Sequence, residues 1–149
     1  EKFLRTKTLN FDFTKFSKKE ISELIKTMRL AMLEQKGLGL SANQVGLNMR
    51  VFVARVNSKF YSIFNPVILK SSIETLIEDE GCLSIPKTYG SVERSAKVLL
   101  AAYDKNNKPI KIKAIGILAR AFQHEVDHLN GILFIDKAKD IRVIANNAN

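Results

Sequence analysis

The sequence predicts an α+β fold, a single domain over residues 1–149 with a long N-terminal helix, several short antiparallel strands and a central helix that carries both histidines. Three observations predict it. Apolar residues recur at helical spacing in residues 17–37, two pairs of strand-like runs follow, and a second helical stretch lies at residues 115–129.

The first helix opens on Ser17 and Glu20, a capping-box pair. Ile21, Leu24, Ile25, Met28, Ala31 and Met32 then share one face, and Gly37 is placed to end the helix. Residues 37–44, Gly-Leu-Gly-Leu-Ser-Ala-Asn-Gln, are rich in small side chains and read as a loop. Residues 50–56 and 61–69 form the first strand pair, with Pro66 marking an edge or a bulge. Residues 97–103 and 109–114 form the second, joined by the turn-prone Asp104-Lys105-Asn106-Asn107-Lys108. Asn130-Gly131 stops the second helix, and the last residues are the polar Asn146-Asn147-Ala148-Asn149. No repeat or linker interrupts this order.

Composition narrows the classes of function. A chain of 149 residues, 46% hydrophobic and 26% charged, suits one soluble domain with a real core. No apolar run approaches the roughly 18 residues that cross a bilayer, which argues against a membrane partner. One cysteine, Cys82, excludes an internal disulfide framework and suggests the reducing cytoplasm. The net charge is +9, but the lysines are scattered, without an arginine-rich run or a stacking motif. General solvation explains them better than a nucleic-acid face, and no DNA partner is expected.

Both histidines fall in His124-Glu125-Val126-Asp127-His128. Four residues apart on a helix, they point to one face and can hold one metal ion through two imidazoles. Glu125 then lies beside the ion, where a carboxylate can take a proton from water. The central helix is thereby a metal-binding one. A catalytic site needs a third protein ligand. The position six residues after His128, where one class of zinc proteases has a histidine, is Phe134. Asp136 and Asp140 are weak downstream candidates. Cys82, in Glu80-Gly81-Cys82-Leu83-Ser84-Ile85-Pro86, is the better one, although a lone cysteine is most often a small buried hydrophobe. Thiolate with two imidazoles suits Zn, Fe(II), Co or Ni.

Three segments resemble, in order and spacing, the three motifs of the peptide deformylases: residues 37–44, residues 80–84, and Gln123-His124-Glu125-Val126-Asp127-His128-Leu129. Asn65-Pro66, Pro86, Gly90, Val92, Arg94 and Asn130-Gly131 extend the likeness over nearly the whole chain. The resemblance implies a hydrolase of protein biosynthesis that removes the formyl group from the initiator methionine of nascent polypeptides and releases formate. It implies one divalent metal ion, Fe(II) in the cell and replaceable by Zn, Ni or Co, held by Cys82, His124 and His128. Glu125 would be the general base and acid. The amide of Gln44 and the backbone N–H of Leu83 would face the oxyanion. Leu38, Gly39 and Gly81 would pair with the N-formylmethionyl peptide as an added strand, and Leu38, Tyr89, Ile117 and Ala121 would line a methionine pocket.

The chain departs from the family at Lys87, where a glycine is common, and at Tyr89, where some members carry arginine. The sequence stops soon after Asp140 and so resembles the shortened bacteriophage members that lack a long C-terminal helix. Many bacterial members use that helix to contact the ribosome, and a transient ribosome contact is carried over as an expectation. Two other readings differ from this one: a zinc protease with a downstream carboxylate ligand, and a basic RNA-binding module with a structural metal. The second needs a fourth Cys or His, which the chain does not have.

Overall fold

A computed structural model describes residues 2–144. Helix α1 spans Lys18–Glu34. The Ser17 hydroxyl accepts the Glu20 N–H at 3.1 Å, and the Glu20 carboxylate accepts the Ser17 N–H at 2.9 Å. The helix ends one residue earlier than the glycine suggested. Lys36 takes the left-handed conformation (φ 56), donates to the Leu33 carbonyl, and lets the Gly37 N–H reach the Met32 carbonyl. Gly37 is needed for another reason: a Cβ there would meet Leu83 Cδ1 at 2.9 Å.

Among the described residues, eight strands follow in two antiparallel sheets. The five-stranded sheet has the order β1 (Gly39–Ser41), β2 (Val51–Val56), β3 (Lys59–Ser71), β6 (Lys97–Tyr103) and β7 (Pro109–Ile115). The second sheet is formed by β4 (Thr75–Cys82), β5 (Ile85–Ser95) and β8 (Lys139–Val143), in that order. Residues 39–41 therefore form a strand within the stretch read as a loop, and a 3-10 turn at Ala42–Val45 follows it. The strands are also not all short, since β3 has 13 residues and β5 has 11. Pro66 lies on an interior strand, where the register slips between Phe64 and Val67, so it marks a bulge and not an edge.

Helix α2 spans Ile117–Leu129, two residues later than the spacing suggested. Strand β2 is buried on both faces. Val51 and Val53 join the Met28 and Met32 layer of α1, while Phe52 and Ala54 join Phe122, Val126 and Leu129 of α2. The five-stranded sheet thus lies between the two helices. The C-terminal end of α2 is held by other elements. The Leu129 carbonyl accepts from the Thr8 N–H (2.8 Å), the Thr8 hydroxyl (2.9 Å) and Arg50 (3.0 Å), and the His128 carbonyl accepts from Asn43 Nδ2 at 2.7 Å. These donors fix the axial position of the helix that carries both histidines. No helix of the described residues is long and apolar enough to cross a membrane.

Candidate active site

The edges of the two sheets face each other across one cleft. β1 and β4 are both edge strands, and residues of both line a cavity of about 420 Å³ floored by Ile117, Ala121, His124 and Glu125 of α2. Cys82 is the last residue of β4, so the sheet edge delivers its sulfur to the helix. Cys82 Sγ lies 3.1 Å from His128 Nε2, and His128 Nε2 lies 3.1 Å from His124 Nε2. The ligating atoms of all three residues fall within 4.8 Å of one another. Asp136 and Asp140 are not part of this cluster, and Asp136 pairs with Arg5 instead.

The donor set fits a divalent cation. One thiol and two imidazole Nε2 atoms converge on a single point, and one shared proton could satisfy only one of those contacts. Burial would depress His124, but the hydrogen bonds with Cys82 and Glu80, and the charges of Glu125 and Glu80, raise it to about 10. His128 is pushed down to about 3 by its own burial and by the charges of His124 and Arg94. A bound ion would take the place of the His124 proton, since both imidazoles must be neutral to ligate it.

Glu80 organises this cluster and was quoted in the sequence motif without a role. Its carboxylate accepts His124 Nδ1–H at 2.9 Å, Arg94 Nε–H at 2.6 Å and Arg94 NH2 at 2.9 Å, and it also pairs with Arg120. Burial would raise Glu80, yet hydrogen bonds from Arg94 and His124 and the charge of Arg94 hold it well below the ordinary carboxylate range. With Nδ1–H donating to Glu80, His124 Nε2 is turned toward Cys82 and His128, where its lone pair becomes available once that nitrogen gives up its proton. Arg94 continues the chain to Asp127 at 2.8 Å, one residue before His128.

Glu125 is 3% exposed, and its Oε1 has no hydrogen-bond partner among the described residues. Burial outweighs the charges of His124 and Arg94 and raises it to about 7. Space for this carboxyl comes from Gly39, where a Cβ would meet Glu125 Oε2 at 2.7 Å. The Gln44 amide is fixed in orientation: its Oε1 accepts from Ser41 N–H (2.9 Å) and the Ser41 hydroxyl (3.0 Å). Its Nε2 is thereby turned toward Ser84 Oγ at 3.1 Å and Cys82 Sγ at 3.6 Å. Ser84 was another residue that spacing alone could not single out. Leu38, Gly39, Gly81, Leu83, Tyr89, Ile117 and Ala121 all line the same cleft.

A thiol and two imidazoles beside a buried carboxyl, at the end of an open cleft, are the apparatus of a hydrolytic metalloenzyme. The polypeptide deformylase family model matches residues 1–143. A peptide deformylase from Pelotomaculum thermopropionicum is 46% identical over 123 residues, covering 82% of this chain and 78% of that protein. The structure of an Acinetobacter baumannii class I type b peptide deformylase with Met-Ala-Ser bound superposes with a TM-score of 0.87 at 32% identity, covering 92% of each chain. A Synechococcus elongatus peptide deformylase in complex with actinonin gives 0.87 at 35% identity, covering 94% of this chain and 75% of that one. The chain belongs to the polypeptide deformylase family. It is a hydrolase that uses one divalent metal ion and removes the N-formyl group from formyl-methionyl peptides.

Proposed function

We propose that Cys82, His124 and His128 hold the ion and that Glu125, Gln44 and Leu83 carry out the hydrolysis around it. The single observation that supports this most is the convergence of one sulfur and two Nε2 atoms within 4.8 Å, with Glu125 on the same helix. An ion held there would supply a Lewis acid that makes water a stronger acid. Glu125 accepts a proton from the attacking water, whose oxygen forms the new bond to the formyl carbon. Negative charge then develops on the formyl oxygen, facing the Gln44 Nε2–H and the Leu83 N–H, which stabilise it more than they stabilise the neutral substrate. Glu125 passes its proton to the nitrogen, the C–N bond breaks, and formate leaves the free methionyl amine.

The peptide lies extended between the two sheet edges, pairing with backbone near Leu38, Gly39 and Gly81. Its methionine side chain fills the apolar space among Leu38, Tyr89, Ile117 and Ala121. Fe(II) is the ion in the cell, and the enzyme works in the cytoplasm. A transient contact with the ribosome is part of this reading, and any such contact made through the basic surface weakens as salt rises. An anaerobic assay of formate release from a formyl-Met tripeptide, with metal content measured in the same sample, tests this reading. Formate released in proportion to bound Fe(II) is expected. Metal-loaded protein that releases none would overturn it.

A further inference from the structure

Two lysines on the rim of the cleft stand apart from its other charges. Lys36 lies on the wall that leads into β1, and Lys87 on the wall formed by β5. Both are exposed, and neither has a carboxylate partner among the described residues. The remaining charges that line the cleft outside the metal cluster are already neutralised. Glu80 is taken up by Arg94, Arg120 and His124, and Asp79 by Arg142 at 2.9 Å and Ser91 at 3.1 Å. The cleft mouth thus presents two unbalanced positive charges.

The two positions also share a backbone conformation. Lys36 (φ 56) and Lys87 (φ 57) both occupy the left-handed region, which glycine adopts without strain. At Lys36 that conformation closes the end of α1. Glycine can therefore replace either lysine without disturbing the backbone, which allows the charge to be removed cleanly.

We propose that Lys36 and Lys87 are specificity-determining residues that favour formyl-Met peptides with an acidic side chain two or three residues into the chain. The proposal rests on the reading that the peptide lies extended between β1 and β4 with its formyl group at the Cys82 cluster. An extended chain advances about 3.3 Å per residue. The second and third residues therefore leave the apolar pocket and head for the mouth, where a carboxylate enters the field of the two lysines. Exposed pairs of this kind are weak and screened by salt, so the preference is several-fold and depends on ionic strength.

The test compares kcat/KM for formyl-Met-Ala-Glu and formyl-Met-Ala-Lys at low and high salt. It uses the wild type, the double variant Lys36→Gly/Lys87→Gly, and the charge-retaining Lys36→Arg/Lys87→Arg. Glycine relieves both left-handed positions, so the first variant should melt no lower than wild type. The expected result is a preference of about three- to tenfold for the acidic peptide at low salt, kept in the arginine variant. It should fall toward unity in the glycine variant and at high salt. Equal rates on the two peptides in wild type, or a preference that survives in the glycine variant, would overturn the proposal. Failure of the wild type to deformylate either peptide would instead count against the underlying reading of the cleft.

Discussion

Glu80 joins Arg94, Arg120 and His124 to one carboxylate, and the orientation of His124 depends on it. Glu80→Gln keeps the shape but loses the charge that binds Arg94 and turns the His124 lone pair toward the cluster. A metal affinity about 10- to 100-fold weaker is expected, read by competition with a chelator. Unchanged affinity would show that the Arg94–Glu80 pair only supports the fold. The residues legible in the sequence were those whose chemistry depends on spacing: two histidines one helical turn apart and the carboxylate between them. Cys82 was legible only in combination with them. Glu80, Arg94 and Ser84 were not assigned roles, because their parts are set by contacts across 14 to 44 residues of chain, which no local pattern encodes.

Among the elements, the contact between β1 and α2 matters most for the chemistry. Gly39 gives the buried carboxyl of Glu125 its space, and an alanine there would press on Glu125 Oε2 at 2.7 Å and on its Cγ at 3.0 Å. Gly39→Ala should lower kcat/KM at least about tenfold by displacing Glu125, the proposed proton acceptor, with a smaller effect on melting temperature. A variant with full activity would mean that Glu125 sits elsewhere during turnover. Both helices were legible because their caps and apolar faces agree. The hairpin from 97 to 115 was legible because its turn chemistry is strong. Strands β4 and β5 were missed for a physical reason. The first five residues of β4 are exposed without alternation, and β5 contains Pro86 and Gly90, both signals of a turn. Strand β8 is exposed along its whole length and pairs only with β5, so its sequence carries no core pattern.

For the whole molecule, the metal links parts that are far apart in sequence. It would tie the end of β4 to α2 and so join the small sheet to the main core. Binding to the native state alone adds about 2.7 kcal/mol when free ion is 100 times its dissociation constant. For a chain of this size that corresponds to about 5–10 °C in melting temperature. Chelation should therefore lower the melting temperature by about that much, and restoring the ion should reverse the change, as scanning calorimetry would show. No change on chelation would mean that the ion does not stabilise the fold through these elements. The same coupling separates holding the ion from moving the proton, and Glu125→Gln tests that division most directly. The variant keeps size and shape but has no carboxylate to accept the proton. Formate release from a formyl-Met tripeptide and metal content should be measured on the same preparation. The expected result is a full metal complement with a rate reduced by at least about two orders of magnitude. Loss of the metal, or retention of both metal and activity, would contradict the role assigned to Glu125 and the mechanism built on it.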